Sequence, residues 1–427
     1  MAWSSRFSSH RGRYIGVVAS CAMTVLAACS SSNKPAADSS QPSSPGTSVS
    51  SGSPATDSAS TGSASTGSAS TASDAGVLYA KQQIAQFAQS ATTFRAPGPA
   101  FTKSQAALLK SKLSGKTLWF IPVFQQAIQF SSEITAFTEA AKVAGAKVHV
   151  CDAQVNPSTG SQCLKQAVSS GAAGIVTSSL DYGFAQQAFQ AVLKAKIPLV
   201  MADDDEVGAN ALPASSTARQ LSIGGTYFGR LGADWVIADS HGTANVLYAA
   251  DDASSGALQL AAATDEFKTR CPACKVTVIH FNDASLPKLT TAVSAALIAN
   301  SKIRYVFNAY DEPSGAYAVQ GLQRIKGRSL KFVGGGGSPV GLQRIQKGEE
   351  SASPGVDTSR VAWDMADAVF RFVAGVPQIN TYPKALRLFT KDNLPADVKD
   401  TAAFSVGSWY SNGNFRAGYK TLWPSSS

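Results

Sequence analysis

Polar and aromatic side chains follow the ends of several short apolar runs, where they could bind a small molecule. In the first half of the chain these candidates are Phe124, Gln125, Gln126, Phe130, Ser178, Asp181, Tyr182, Asp203, Asp204 and Asp205. In the second half they are Asp251, Asp252, Ser254, Asn282, Tyr310, Asp311, Glu312 and residues 335–338, which end in Ser338. Aromatic rings would stack on an apolar face of a ligand, and carboxylates and amides would accept its hydroxyl or ammonium protons. Some candidates have structural alternatives: Phe130 as core, Asp181 as a helix cap, and Asp204 and Asp205 as solvated loop charges or caps.

Recognised catalytic motifs are missing from the sequence. It contains no Gly-x-Ser-x-Gly elbow, no HExxH and no paired-thiol metal set, and His241 and His280 lie near no nucleophile motif. The four glycines at 334–337 lack the Lys and Ser or Thr that follow in a phosphate-binding loop. We therefore expect a binding protein that is not an enzyme and needs no metal or cofactor.

The elements that position these residues are predicted to alternate between strands and helices. The apolar runs are 117–123, 147–151, 174–177, 198–202, 245–250, 276–281, 303–308 and 330–334. They lack strict in–out alternation, which is typical of strands covered on both faces, and stretches such as 132–144 and 289–299 have helical spacing. A further helix is predicted at 77–92. The pattern predicts an α/β fold of doubly wound parallel sheets.

The predicted strands divide into two groups of four at about residue 224, which favours two lobes of ordinary domain size. Ligands bind outside the carboxyl ends of parallel strands, and in two facing lobes those ends converge on one cleft. This rule selects the candidates given above. The net charge of +9 is not clustered in the sequence, so we expect no nucleic-acid partner.

The first 28 residues have the features of an export signal. Arg6, Arg11 and Arg13 precede a mostly apolar run at 14–28, which is shorter than the roughly 20 residues of a membrane-spanning helix. The run ends in Leu-Ala-Ala-Cys at 26–29, which resembles the lipobox of bacterial lipoproteins. The resemblance implies that Cys29 is acylated and anchors the chain to the extracytoplasmic face of the cell membrane. The alternative is an ordinary signal peptide with an incidental Cys29.

The segment 29–75 is rich in Ser, Thr, Ala and Gly, and it repeats Ser-Thr-Gly-Ser-Ala at 60–64 and 65–69. Such side chains bury too little apolar surface to fold, so a flexible tether is predicted. Residues 76–114 are then an N-terminal helical extension.

From about residue 115 to 376 the sequence resembles the ribose- and galactose-type periplasmic binding proteins, the solute-binding components of ABC importers. The resemblance is carried by the segments 130–132 with 137–145, 172–181, 196–203 and 303–312. Gly-Lys-Thr-Leu-Trp at 115–119 and Val-Cys-Asp at 150–152 are similar to actinobacterial lipoproteins of this family.

The resemblance implies two lobes joined by a hinge of three crossings. The first lobe is 115–224 with 354–382, and the second is 225–353 with 383–427. It implies a monomeric receptor that delivers a sugar-like or other small polar or aromatic solute to an ABC permease, as in sugar transport. A ligand sensor for a membrane signalling partner is the alternative, and an extracytoplasmic enzyme is less favoured.

Four polar groups of the sugar-binding pattern are missing. In the first half, 127–130 lack the Asn that precedes the aromatic residue in sugar binders, and Asp204 stands where they have an Arg after the hinge aspartate. In the second half, 259–261 lack the family's Arg and 334–337 lack the Asp of its glycine-containing loop. Sugar hydroxyls would lose those partners, so a less hydroxylated or cationic solute is at least as plausible as a carbohydrate.

Four cysteines remain after Cys21 in the signal and Cys29, and four cysteines allow three pairings. We expect the local disulfides Cys151 with Cys163 and Cys271 with Cys274. A redox role for the Cys-x-x-Cys sequence is the rival interpretation, but such cysteines require a helix N-terminus, and Cys271 is predicted to follow a helix.

Overall fold

The structure is a computed structural model that describes residues 66–91, 93–203, 208–308, 310–411 and 413–423. The predicted signal peptide, Cys29 and most of the predicted tether lie outside the described residues, as do Asp204, Asp205 and the side chain of Asp203. The described strands are β1 (Thr117–Pro122), β2 (Lys147–Val150), β3 (Gly174–Ser178), β4 (Leu199–Asp203), β5 (Ala218–Ser222), β6 (Asn245–Asp251), β7 (Lys275–Phe281), β8 (Tyr305–Phe307), β9 (Lys331–Val333), β10 (Ala352–Val356) and β11 (Leu386–Thr390).

The described α-helices cover the faces of two sheets and extend to both ends of the described chain. They are α1 (Thr66–Phe87), α2 (Lys103–Leu113), α3 (Ile128–Val143), α4 (Pro157–Ser169), α5 (Gln186–Lys194), α6 (Thr226–Asp239), α7 (Ser254–Arg270), α8 (Leu289–Ala299), α9 (Ser314–Gln323), α10 (Pro339–Lys347), α11 (Thr358–Ala374), α12 (Thr401–Ser405) and α13 (Phe415–Leu422).

The first lobe is built on a parallel sheet with the strand order β2-β1-β3-β4-β5. Alternate residues of β1 supply two different cores. Leu118 and Phe120 pack in the cluster that contains α3 and α11, and Trp119 and Ile121 pack in the cluster that contains α4 and α5. Both faces of the sheet are therefore covered, which explains why the strands read as continuous apolar runs.

The second lobe is built on a six-stranded sheet with the order β11-β10-β9-β8-β6-β7. Its strands are parallel except β11, which runs antiparallel to β10. Val246 and Tyr248 of β6 face α6 and α7, and Leu247 and Ala249 face α8 and α9. The predicted α/β class with two parallel-sheet lobes is confirmed.

The chain passes between the lobes near the carboxyl ends of β5 and β10. It enters the second lobe between β5 and α6, returns between β10 and α11, and crosses again between α11 and β11. The C-terminus differs from the predicted division, in which 383–427 belong to the second lobe. Trp423 stacks on Trp363 of α11 with ring centroids 5.4 Å apart, so α13 packs in the first lobe.

The N-terminal extension contacts both lobes. Helix α1 packs against α6 and α7, and α2 packs against α11. Gly76 of α1 lies so close to the carbonyl of Arg270 that a Cβ would overlap it, and the Arg270 guanidinium lies 3.9 Å above the Tyr79 ring. Helix α1 begins at Thr66, inside the segment predicted as tether, and it ends at Phe87, before the predicted residue 92. The Ser-rich start of α1 has a low helix propensity, and packing against the second lobe stabilises the helix.

Both expected cysteine pairs lie at disulfide distance. The sulfurs of Cys151 and Cys163 are 2.01 Å apart, and those of Cys271 and Cys274 are also 2.01 Å apart. Cys271 follows α7 and Cys274 precedes β7, so this Cys-x-x-Cys sequence has no helix N-terminus beside it. Of the helices in the described ranges, none combines the length and the apolar character needed to cross a membrane.

Candidate functional site

A cavity of about 140 Å³ lies between the two lobes, outside the carboxyl ends of strands from both sheets. It is smaller than the roughly 300 to 1,000 Å³ of pockets that hold drug-sized ligands, so a ligand enclosed here is small. The first lobe contributes the start of α3 and Ser179 after β3, and the second lobe contributes the start of α7 and the loops after β8 and β9. The lining residues are Gln129, Phe130, Glu133, Ser179, Ile223, Gly225, Phe228, Ser255, Gln259, Tyr310, Asp311, Glu312, Gly335, Gly336, Ser338, Val356, Thr358, Val361 and Phe404.

Much of the cavity wall is apolar. Three phenylalanines reach it from different parts of the chain: Phe130 from α3, Phe228 from α6 and Phe404 from α12. All three are buried, and Ile223, Val356 and Val361 from the hinge complete the apolar surface. The wall can therefore pack against a carbon skeleton or an aromatic ring of a ligand.

Glu133 is a buried acid in this wall. Its side chain lies on α3, and its Oε2 accepts a hydrogen bond of 2.6 Å from the Ser178 hydroxyl. Burial raises the pKa of Glu133 to about 8, because the hydrogen bond from Ser178 only partly offsets the loss of solvation. Glu133 is therefore mostly protonated at neutral pH when the cavity is empty.

Asp311 fixes the glycine-rich loop on the opposite side. Its Oδ2 accepts from the Ser338 N–H at 2.7 Å, its Oδ1 accepts from the Ser353 hydroxyl at 2.8 Å, and its own N–H donates to Gly335 O at 2.6 Å. Arg344 donates to the Asp311 carbonyl at 2.7 Å. Burial raises the pKa of Asp311 and Arg344 opposes this rise. The hydrogen bonds give Asp311 a structural role beside the cavity.

The two lobes contact each other at the rim of the cavity. The Ser254 hydroxyl, at the start of α7, donates a hydrogen bond of 2.6 Å to Asp181 Oδ2 of the first lobe. The other oxygen of Asp181 accepts from the Phe184 N–H at 2.8 Å, in a short 3₁₀ helix whose N-cap residue is Tyr182. Asp181 thus binds a backbone N–H of this short helix from the position before its N-cap, and it also makes a contact across the cleft.

Of the twelve predicted ligand-binding residues, the structure brings four to the cavity: Phe130, Tyr310, Asp311 and Ser338. Glu312, Gly335 and Gly336, from the wider set of candidates, also line it. The other candidates with described side chains lie elsewhere. Phe124 and Gln125 are exposed, Tyr182 packs in the core of the first lobe, Ser178 is buried against Glu133, and Asp251 accepts from the Ala253 N–H.

Several residues of the cavity carried no prediction. Glu133 had a usable signal, because it follows Phe130 by three residues and therefore shares its helix face. Ile223, Val356, Thr358 and Val361 come from hinge crossings, and Phe404 comes from the C-terminal segment, so no local pattern places them. Ser179 has a positive φ of 51°, which is uncommon outside glycine and is found at binding sites.

In the described part of the chain, no three His, Cys, Asp or Glu side chains are grouped so that they could hold a metal ion.

Comparison with known proteins relates the chain to one family. Residues 119–376 match the profile of a periplasmic binding protein domain. A comparison with curated protein sequences finds no significant match.

Solved structures share the fold. An ABC sugar transporter subunit from Rhodobacter sphaeroides 2.4.1 has 18% identity and a TM-score of 0.57, with 66% of this chain and 99% of that chain covered. A solute binding protein from Agrobacterium vitis bound with alpha-D-tagatopyranose has 17% identity and a TM-score of 0.59, with 68% and 98% covered. A 5-methylthioribose transporter solute binding protein from Thermotoga lettingae TMO has 15% identity and a TM-score of 0.58, with 70% and 93% covered.

Proposed function

Because this chain belongs to the periplasmic binding protein family, we propose that it is an extracytoplasmic receptor that encloses a small solute between its lobes. The observation that carries the proposal is the cavity itself, which both lobes and the hinge line together. A ligand in this position gains contacts with both lobes only when the cleft is closed, so its binding energy favours the closed state. The hydrogen bond between Ser254 and Asp181 adds to the same state.

The proposed ligand contacts are three of the four cavity-lining members of the predicted set, Phe130, Tyr310 and Ser338, together with Gln129, Glu133 and Gln259. Asp311, the fourth, holds the loop 335–338. Solved relatives bound to tagatopyranose and to 5-methylthioribose favour a small polar solute. The aromatic wall and the missing polar groups of the sugar pattern extend the candidates to less hydroxylated compounds.

We further propose that the receptor delivers its solute to an ABC permease. The sequence features of residues 1–75 support export, acylation at Cys29 and a tether that holds a monomeric receptor at the membrane. The similarity to actinobacterial lipoproteins remains part of this proposal.

A thermal-shift screen of the full chain tests the receptor function. We expect at least one compound among sugars, polyols, aromatics, nucleosides and amines to raise the melting temperature, because a ligand at 100 times its Kd adds about 2.7 kcal/mol to stability. The compound should be recovered chemically unchanged. Replacing Phe130 with alanine should remove most of the shift, since Phe130 is buried in the cavity wall.

Phe124→Ala is the matched control, because Phe124 is 40% exposed and does not line the cavity. It should retain the shift. If no compound of any class stabilises the protein, or if the Phe124 and Phe130 variants lose the shift equally, the proposed receptor site is wrong.

A further inference from the structure

The cavity wall contains acidic side chains and no basic ones among its described residues. Glu133, Asp311 and Glu312 are acidic, and none of the described lining residues is Lys or Arg. An anionic ligand would lie beside these acids and would meet no Lys or Arg side chain in the wall, while Arg344, which donates to the Asp311 carbonyl, is paired with Glu350. The side chains of the cavity wall therefore disfavour an anion.

Glu133 differs from the other two acids because its carboxyl group is buried and nearly unpartnered. Asp311 accepts two hydrogen bonds from Ser338 and Ser353, and Glu312 is exposed. Glu133 accepts one hydrogen bond from Ser178, and among the described residues no Lys, Arg or His forms an ion pair with it. A buried carboxyl group without a cation is a site for a cationic ligand group.

The surroundings of Glu133 suit the rest of such a ligand. Phe130, Phe228 and Phe404 provide rings, and the face of an aromatic ring attracts a cation when water is excluded. Gln259, from the second lobe, lines the same cavity, and its buried Oε1 has no hydrogen-bond donor among the described residues. Both lobes therefore offer acceptors, and neither offers a fixed cation.

Resting on the receptor function proposed above, we propose that the solute is a small protonated amine on an apolar skeleton, with its ammonium group against Glu133 and its skeleton against Phe130, Phe228 and Phe404. Binding is then completed from the second lobe, where Gln259 and the Ser255 hydroxyl accept further N–H groups.

Helix N-termini restrict where the ammonium group lies. Helices α3, α6, α7, α10 and α11 begin at the cavity, and each N-terminus carries roughly half a positive elementary charge. These partial charges act against a cation placed at a helix end. The ammonium group must therefore lie beside Glu133 and the rings.

The protonation of Glu133 gives this binding mode a distinctive pH dependence. An ammonium group favours the carboxylate, so it lowers the pKa of Glu133 from the value of about 8 in the empty cavity. Below pH 8 binding releases a proton, and the affinity rises by up to about tenfold per pH unit until it levels off above about pH 8. A neutral ligand that accepts from protonated Glu133 gives the opposite sign, because its affinity falls above pH 8.

Other charged or titratable groups lie on α3 and on the elements around it, but among the described residues none of them forms an ion pair with Glu133. On α3 itself, Glu139 pairs with Arg416 at 2.8 Å. On the packed elements and across the cavity the charged or titratable groups are Lys147 and His149 of β2, Asp357 before α11, Arg360, Asp364, Asp367 and Arg371 of α11, Asp400 before α12, and Asp311 and Glu312. Burial also raises the pKa of Asp357 to about 6 and that of Asp234 of α6 to about 8. The pH dependence is therefore assigned to Glu133 by its loss in Glu133→Gln.

Calorimetric titration of the full chain with paired probes tests the proposal. The pairs are benzylamine with benzyl alcohol, 2-phenylethylamine with 2-phenylethanol, and cyclohexylamine with cyclohexanol, in which the amine is protonated at neutral pH. We expect at least one amine to bind about tenfold or more tightly than its alcohol and to release close to one proton at pH 7. Glu133→Gln should weaken that amine by about 30-fold or more and remove the proton release.

Glu139→Gln is the matched control on the same helix, because Glu139 does not line the cavity. It should bind the amine as the unaltered protein does. In Glu133→Gln the introduced amide oxygen can still accept from Ser178, so the variant should fold. The pH profile of the unaltered protein tests the proposal independently of any variant.

The outcomes separate this inference from the receptor function. If neutral compounds bind and amines bind no more tightly than their alcohols, or if Glu133→Gln leaves amine binding unchanged, the ammonium site is wrong and the receptor function stands. If no compound of the probe pairs or of the thermal-shift screen binds, both are wrong.

Discussion

Replacing Asp367 with alanine should lower the free energy of unfolding by about 3 to 5 kcal/mol. Asp367 lies in α11, and its carboxylate is fully buried. Oδ2 accepts from Arg371 Nε at 2.6 Å and from the Tyr382 hydroxyl at 2.7 Å, and Oδ1 accepts from Trp423 Nε1 at 2.7 Å. The substitution leaves the guanidinium of Arg371 charged and buried without its carboxylate. Chemical denaturation of the unaltered and variant proteins measures the loss.

The control for this variant is Asp265→Ala, which makes the same change at an exposed position of α7. It should alter the free energy of unfolding by no more than about 0.5 kcal/mol. The Trp423 indole donates a hydrogen bond to Asp367, so Asp367→Ala should also release α13 from α11. This release should be visible as faster amide exchange in 415–422. A loss below about 1 kcal/mol for Asp367→Ala would show that the cluster does not hold the C-terminus.

Replacing Gly341 with alanine should weaken ligand binding about tenfold or more, although residue 341 is not a ligand contact. A Cβ at this position would overlap Oδ2 and Cγ of Asp311. Asp311 has little freedom to move, because the Ser338 N–H and the Ser353 hydroxyl hold its two oxygens. The overlap is therefore relieved by displacing the loop 335–338, which forms one wall of the cavity. The measurement is the affinity for the compound that stabilises the protein most in the thermal-shift screen.

Gly160→Ala is the matched control for this prediction. Gly160 also lies near the start of a helix, α4, and it does not line the cavity. The atom nearest to a Cβ added there is a ring carbon of Phe184, at 3.1 Å. The control should bind ligand with unchanged affinity. Equal affinities for Gly341→Ala and the unaltered protein would mean that the position of Asp311 does not determine the shape of the cavity.

The fold could be predicted where burial leaves a continuous apolar run. Each of the eight predicted runs overlaps one strand of the two sheets, with bounds that agree within two residues, and the predicted helical stretch 289–299 has the bounds of α8. Three strands, β5, β10 and β11, lie outside the predicted runs. Strand β5 (ARQLS) is an edge strand with polar residues, and β10 (ASPGV) contains Pro354 and Gly355. Main-chain pairing with neighbouring strands determines these two elements, and their side chains show no strand pattern.

The residues of the candidate site were predicted only where they directly follow a predicted strand or open the next helix. Phe130, Tyr310 and Ser338 satisfy this rule and line the cavity. Phe124 satisfies it too but is turned to solvent. Phe404 could not be found this way, because α12 reaches α3 only after the chain has crossed between the lobes. Contacts of such large sequence separation depend on the packing of the complete fold.

The most direct test of a receptor that closes on its solute is the distance between the lobes with and without ligand. Fluorophores at positions 126 and 283, which are exposed and follow β1 and β7, report this distance by energy transfer in the full chain. We expect the best stabiliser from the thermal-shift screen to shorten the mean distance at concentrations that match its affinity and to be recovered intact. A distance that stays constant at saturating ligand, or a ligand that is chemically converted, would contradict the receptor function.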